Sequence, residues 1–411
     1  MKGLNTSKDA GSLVHRCQDV RTACVIVDMD NDAYEKLRLT QALFRQACNL
    51  LVEIVCEDSD RKQRLWQRYN LHHVGYHRVR EAVPQLGAQL TCNAVRVVSA
   101  AYKSLLRNNP KYVKDKKLAL PKIVFNNVGI HLDARTLSFS KDRTSATVFT
   151  TQKRVNVRLC PGAFQQEILS GGQWRECELV YKRKRDSSQG QWQLHIVVTR
   201  DIELPDLHNL KKEEILGVDL GENNVAATSD GRLFKAGKLK NDRDKYLSQR
   251  TRLQRNGSRN AKRQLKRISG RERRHVEHVN HTVSKSIVQE AVENNKRLIV
   301  LEDLTHIRER IKAGRRVRAR LHRWPFRQLQ QMIVDKATRV GIRVLLVDPR
   351  YTSKTCSECG AIGKRAKHRF ECYCGYRAHS DLNAGRNLQG LGYLLMAQGP
   401  DVNRPNAASL L

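Results

Sequence analysis

Ile215-Leu216-Gly217-Val218-Asp219-Leu220 is a short apolar run interrupted by an acid, and its form predicts a β-strand. Leu298-Ile299-Val300-Leu301-Glu302 repeats that form downstream: four apolar residues, then a carboxylate. After the first run, Val225 to Thr228 and Leu233-Phe234 continue as a meander, and Ile342 to Val347 gives another apolar run behind a helical stretch. An acid closing an apolar strand is expensive to bury without a cation beside it. A third acid, Asp381, stands in Ser380-Asp381-Leu382-Asn383-Ala384-Gly385-Arg386-Asn387, a segment with the character of a helix start.

An antiparallel meander followed by helix-linked strands predicts an α/β domain of the RNase H type. Each acid has a plain structural alternative. Asp219 and Glu302 could close strands in turns, and Asp381 could cap its helix. Taken together on one sheet, three carboxylates are what two-metal phosphodiester hydrolysis needs, because two Mg²⁺ ions about 4 Å apart demand hard oxygen ligands. Asp303 follows Glu302 and is expected on the opposite strand face.

Upstream, residues 21–30 read as one isolated strand. Leu39, Leu43, Ala47, Leu50 and Ile54, then Leu86, Leu90, Ala94, Val97, Ala101 and Leu105, recur at helical spacing. After Asn108-Asn109-Pro110 the period becomes strand-like, at Ile123-Val124-Phe125, Gly129 to Leu132, Ala146 to Phe149 and Val155 to Leu159. Glu176 to Lys182 and Trp192 to Thr199 flank Asp186-Ser187-Ser188-Gln189-Gly190 as a hairpin. A β-barrel interrupted by a helical insertion accounts for the lone early strand.

Charge narrows the function. The 411 residues carry 76 Lys and Arg against 41 Asp and Glu, a net charge of +35, which is the footprint of a polyanionic partner. Within 238–274 fifteen cations face only Asp242, Asp244 and Glu272, too one-sided for a merely solvated helix face. Arg259, Lys262, Arg263, Lys266 and Arg267 are the candidate contacts to a nucleic-acid backbone. A hydrophobic content of 40% excludes a disordered basic tail, and no apolar run reaches the ~18 residues of a membrane span. The start, Met1 to Lys8, lacks the apolar core of a signal peptide, so a reducing, cytoplasmic setting is expected.

Cys356-Ser357-Glu358-Cys359-Gly360 and Cys372-Tyr373-Cys374-Gly375 form two knuckles around a basic loop, the sequence form of a zinc ribbon. The second knuckle has one intervening residue rather than two, which leaves His368 or His379 as substitute ligands. Four thiolates leave no open position for water, so a Zn²⁺ held by Cys356, Cys359, Cys372 and Cys374 is expected to be structural. Cys17, Cys24, Cys48, Cys56, Cys92, Cys160 and Cys177 are scattered and read as buried small hydrophobes.

Gly217-Val218-Asp219-Leu220-Gly221, Val300-Leu301-Glu302-Asp303-Leu304, Asp348-Pro349-Arg350-Tyr351-Thr352-Ser353-Lys354-Thr355-Cys356-Ser357-Glu358-Cys359-Gly360 and His379-Ser380-Asp381-Leu382-Asn383-Ala384 together resemble the TnpB family. These are transposon-encoded RNA-guided nucleases related to the miniature type V CRISPR effectors (Cas12f-like). The motif match spans about 213–390. The resemblance implies an α+β multidomain chain: a β-barrel wedge domain with a helical recognition insert, then an RNase H-like (RuvC) α/β domain containing an inserted zinc ribbon. Its parts are expected at 1–30 (N-terminal segment and first wedge strand), 31–107 (helical recognition lobe), 108–210 (wedge barrel), 211–350 (first part of the nuclease domain), 351–378 (target-binding ribbon) and 379–411 (last nuclease part and tail).

The resemblance implies that Asp219, Glu302 and Asp381 are the catalytic triad, binding two Mg²⁺ with Mn²⁺ as an alternative. It also implies a guide RNA, a double-stranded DNA target with a short flanking motif, a monomer or homodimer on the guide, and a nucleoid-associated place in a prokaryotic cell. The leading function is an RNA-guided endonuclease with a single RuvC site. The alternatives are a compact Cas12f-like effector, a nuclease-inactive RNA-guided repressor, and a conventional transposase acting by transesterification. Retention of all three acids argues against the repressor, and the ribbon between the second and third acids argues against the transposase.

Overall fold

Cys17 to Asp28 alternate inward and outward, placing Ala23, Val25 and Val27 in the core. They belong to β1 (His15–Asp28), longer at its start than the strand expected over 21–30. The computed structural model describes residues 15–115, 118–183, 190–207, 209–221, 223–304, 326–348 and 352–398. Met1 to Lys8, the hairpin turn at 186–189, Pro349, Arg350, Tyr351 and the tail beyond 398 lie outside them. The chain divides into two compact units, Gln18–Asp201 and a second made of Met1–Cys17 with Ile202–Leu411.

In the first unit Asp30 follows the strand and caps the next helix, its carboxylate accepting from the Ala33 N–H at 2.7 Å. The helices are α1 (Asn31–Glu57), α2 (Arg68–Ala82), α3 (Ala88–Asn108) and the short α4 (Lys111–Lys114). Leu37, Phe44 and Leu51 make the buried stripe of α1, each contributing about 1.5–3 kcal/mol by leaving water. Phe44→Ala would open a cavity costing about 3–5 kcal/mol.

The remaining elements of this unit are β2 (Ile130–Leu132), β3 (Leu137–Phe139), β4 (Ser145–Phe149), β5 (Arg154–Cys160), α5 (Ala163–Ser170), β6 (Gln173–Lys182) and β7 (Gln191–Leu204). They join β1 in a seven-stranded, near-closed sheet of order β2-β6-β7-β1-β5-β4-β3. Ile123-Val124-Phe125 is not a strand. The Asn49 side chain satisfies Phe125 on both sides, accepting from its N–H at 3.0 Å and donating to its carbonyl at 3.2 Å, so no ladder partner is needed.

In the second unit β8 (Ile215–Asp219), β9 (Asn224–Thr228) and β10 (Leu233–Lys235) form the antiparallel meander. β11 (Leu298–Glu302) and β12 (Arg343–Val347) run parallel, giving the order β10-β9-β8-β11-β12. The basic region is two helices rather than one, α6 (Gly237–Asn256) and α7 (Arg259–Glu293). Gly257 in the left-handed region (φ 64°) and the Ser258 N-cap break it. Then come α8 (Phe326–Arg339), the three-stranded β13 (Lys364–Ala366), β14 (Arg369–Glu371) and β15 (Arg377–His379), and α9 (Ser380–Gln398).

The pleat sorts residues between the two sheet faces. Leu216 and Val218, with Ile299 and Leu301, pack with Ile287, Phe326, Leu329 and Ile333 of α7 and α8. Ile215, Leu298 and Val300 pack with Leu388 and Leu391 of α9. Asp219 and Glu302 share the second parity, so the strand period sends both carboxylates toward the α9 face. No helix among the described residues is long and apolar enough to cross a membrane.

Candidate active site and metal centre

The three acids meet at one end of the sheet. The β8–β11 register pairs Val300 with Gly217 and Leu301 with Val218, so Glu302 follows in line beside Asp219. Asp381 arrives in the first turn of α9, and α9 comes close because a glycine on each element, Gly217 of β8 and Gly385 of α9, lies at their crossing. A Cβ at Gly217 would lie 2.0 Å from the Gly385 carbonyl oxygen, and one at Gly385 would lie 3.2 Å from the Ala227 carbonyl oxygen. The backbone crossing of β8 and α9 therefore sets where Asp381 stands.

Asp381 does not act as a helix cap. Its Oδ2 accepts from Asn224 Nδ2 at 2.9 Å, and its Oδ1 accepts from an Arg365 guanidinium nitrogen at 3.0 Å and from Ser380 Oγ at 3.2 Å. Glu302 Oε1 accepts from the Thr352 hydroxyl. Burial, then the charges of Glu302 and Asp381, hold the Asp219 carboxyl well above its ordinary value, and Arg365 offsets this only in part. Burial also raises Glu302, against the hydrogen bond from Thr352 and the charge of Arg365. A buried Asp219 held above its ordinary value beside Glu302 and Asp381, with Arg365 as a partial counter-charge, forms a site suited to added positive charge.

β11 ends at Glu302, and the Asp303 backbone N–H donates to the Val347 carbonyl at 2.6 Å. Arg365, Thr352 and Asn224 carry no local pattern that marks them as partners of the acids. Arg365 is one basic residue in a basic loop, and Thr352 one hydroxyl in a run of three.

The four knuckle cysteines converge, their sulfurs all within 4.8 Å of one another, with Cys356 Sγ 3.8 Å from Cys374 and Cys359 Sγ 3.5 Å from Cys372. Gly360 (φ 75°) and Gly375 (φ 87°) turn the chain back at each knuckle, which lets the shorter one present both thiols. Burial pushes the Cys356 thiol up to about 12, so a thiolate there needs a cation. His368 and His379 are not the fourth ligand. Their rings stack 5.4 Å apart and group with Asp381, whose backbone N–H donates to His379 Nδ1 at 3.2 Å. The ribbon docks on α9, where Asn383 accepts from the Ser357 N–H at 3.0 Å and donates to the Thr355 carbonyl at 2.8 Å.

Arg259, Lys262, Arg263, Lys266 and Arg267 are all exposed at the start of α7, and among the described residues none is ion-paired. The buried Glu272 instead takes Arg250 at 3.0 Å and Arg243 at 4.0 Å, tying α6 to α7. Of the scattered cysteines only Cys48 and Cys177 are buried. Cys160 is exposed because it falls at an outward position at the end of β5, and Cys17, Cys24, Cys56 and Cys92 are half-buried.

Comparison with known proteins gives the family. A family model described as "Probable transposase" (OrfB_IS605) matches residues 195–308, and one described as "Cas12f1-like, TNB domain" matches residues 326–388. The CRISPR-associated endodeoxyribonuclease Cas12f1 of Sulfoacidibacillus thermotolerans is 30% identical over 353 residues, covering 78% of this chain and 80% of the relative. The putative RNA-guided DNA endonuclease InsQ of Escherichia coli (strain K12) is 29% identical over 235 residues, 52% of this chain and 56% of InsQ. The fold is similar to that in the cryo-EM structure of a Cas12f1–sgRNA–target DNA complex, with a TM-score of 0.59 at 17% identity, covering 88% of this chain and 87% of that one. With its sheet, acids and cysteines arranged in this way, the chain belongs to the TnpB and Cas12f family of RNA-guided DNA endonucleases.

Proposed function

We propose that this protein is an RNA-guided DNA endonuclease of the TnpB type, cutting guide-matched double-stranded DNA at a single RuvC-type site made of Asp219, Glu302 and Asp381. The observation that carries this is the placement of Asp219, Glu302 and Asp381 at one end of the sheet, where burial and then the charges of Glu302 and Asp381 hold Asp219 above its ordinary value and Arg365 offsets this only in part. That donor set fits two hard divalent cations, Mg²⁺ with Mn²⁺ as an alternative, held by the three carboxylates. When bound, such ions supply a nucleophilic water at neutral pH and neutralise charge on the attacking and leaving oxygens.

The protein's own part is positioning. Neighbouring strands align Asp219 and Glu302. Thr352 holds Glu302 Oε1, and Asn224, Ser380 and Arg365 orient the Asp381 carboxylate. Arg365 also places positive charge where a phosphodiester must approach three acids. The cysteine tetrad takes a structural Zn²⁺. The exposed start of α7 meets the phosphate backbone of guide RNA or heteroduplex.

In this reading the seven-stranded sheet and α1–α3 serve as wedge and recognition parts. Residues 211–350 and 379–411 form the nuclease domain, and 351–378 contact the target. The protein acts in the prokaryotic cytoplasm on DNA carrying a short flanking motif. A Cas12f-like effector is a compatible second reading, favoured by the 80% coverage of the Cas12f1 relative. RNA that copurifies with the chain tests both: an element-end transcript supports the transposon form and a CRISPR repeat the effector. Programmed with that RNA, the protein should cut matched linear DNA only when Mg²⁺ is present. Guide-independent degradation, or no bound RNA, contradicts the proposal.

A further inference from the structure

Arg38, Gln41 and Arg45 share one face of α1, and with Asn127, Tyr181 and Arg183 they line a cavity of about 400 Å³ in the first unit. Its walls are fixed by hydrogen bonds. The buried Gln41 accepts from Arg38 at 2.7 Å and donates to Asn127 Oδ1 at 3.2 Å and the Val128 carbonyl at 2.8 Å. Asn127 donates to the Tyr181 carbonyl at 3.1 Å. The Arg38 guanidinium carbon lies 4.0 Å from the Tyr181 ring centroid, and the Tyr181 hydroxyl is bonded to Tyr34 at 2.8 Å and to the Gly190 N–H at 2.7 Å. Among the described residues no acid lines the cavity, and Arg38, Arg45 and Arg183 have no ion-pair partner.

Three uncompensated guanidiniums call for an anion, and a volume of this size holds a small ligand. A regular duplex presents its backbone as a convex ridge and keeps its bases stacked. A folded or single-stranded RNA can splay a base out onto a guanidinium plane or an aromatic ring. We infer that this cavity is a binding subsite for one unstacked nucleotide of the guide RNA, with Arg45 and Arg183 taking the phosphate and the Arg38–Tyr181 pair stacking the base. This rests on the guided reading above and adds to it where the RNA is held.

The probe is the RNA that copurifies with the wild-type chain, measured by filter binding and by ultraviolet crosslinking with peptide mapping. Arg45→Gln with Arg183→Gln should weaken RNA binding at least tenfold and lower the salt slope by about 0.7 per lost contact. Arg38→Lys keeps the charge but loses the planar surface, and should weaken RNA binding about tenfold while leaving binding of guide-free duplex DNA unchanged. Crosslinks should fall in the peptides holding Arg38 and Tyr181. Equal loss of RNA and duplex DNA binding overturns the inference, because the patch is then only electrostatic, and so does full RNA binding by Arg38→Lys. A wild-type chain that retains no RNA overturns the guided reading as well.

Discussion

Gly217→Ala is the sharpest probe of how the fold builds the site. The added Cβ would meet the Gly385 carbonyl oxygen at 2.0 Å and the Gln389 backbone nitrogen at 2.5 Å, neither of which is a flexible side chain. To bring the 2.0 Å contact out to 3.4 Å, α9 must retreat by about 1.4 Å, and Asp381, one turn before Gly385, moves with it. A misplacement of about 1 Å in a catalytic group costs on the order of 10²-fold in rate, and overpacking of this kind costs about 1–3 kcal/mol of stability. Guided cleavage of a linear duplex should therefore fall about 100-fold and the melting temperature should drop, while guide-RNA affinity stays at the wild-type level. Gly390→Ala is the control in the same helix. A Cβ there meets nothing within 4 Å, so it should keep full cleavage and gain up to about 1 kcal/mol in helix propensity. Wild-type cutting and melting by Gly217→Ala would refute the close-crossing argument.

Three further outcomes follow from the same geometry. Zinc should be found at one per chain in protein purified without chelator and lost in Cys356→Ser with Cys359→Ser; unchanged metal content in that variant counts against the tetrad. Neutralising Arg259, Lys262, Arg263 and Arg267 together should weaken guide or target binding and flatten the salt slope by up to about 0.9 per lost duplex contact, and an unchanged slope for both ligands places α7 elsewhere. His131 Nε2 lies 2.9 Å from the Arg96 guanidinium, which can only donate, so the ring accepts there as neutral imidazole, and burial holds it below its ordinary value of 6.5. The unfolded chain therefore takes the proton first, and stability is lost as pH falls from that value toward the folded pKa. His131→Gln should flatten the loss of thermal stability as pH falls below about 6.5, and slopes equal to wild type contradict this.

The parts of the site written locally were legible in the sequence. β8 and β11 are apolar runs closed by acids, Asp381 begins a helix, and the cysteines sit in two knuckles; each is a pattern of a few neighbouring residues. What depends on tertiary partners was not legible. Thr352 and Arg365 act on Glu302 and Asp381 only because Asn383 and Asn387 of α9 anchor the ribbon, Asn387 donating to the Thr352 carbonyl at 2.7 Å. Ile123 to Phe125 have strand composition, but the Asn49 side chain of α1 takes both backbone hydrogen bonds of Phe125. The three residues of β3 and the eight of α5 are too short to announce a period. The shorter cysteine knuckle left His368 and His379 in contention, and stacking beside Asp381 removes them.

The central claim is that Asp219, Glu302 and Asp381 together hold the ions that cut DNA. The direct measurement compares guided cleavage of linear duplex by the wild type with cleavage by Asp219→Ala, Glu302→Ala and Asp381→Ala, each also assayed for guide and target binding in Mg²⁺. Each substitution should abolish cutting while leaving binding nearly intact, because binding rests on Lys and Arg contacts and base pairing, and Asp303→Ala should keep substantial activity. Robust cutting by Asp219→Ala, or a wild type that binds guided target tightly and never cuts it, contradicts the account.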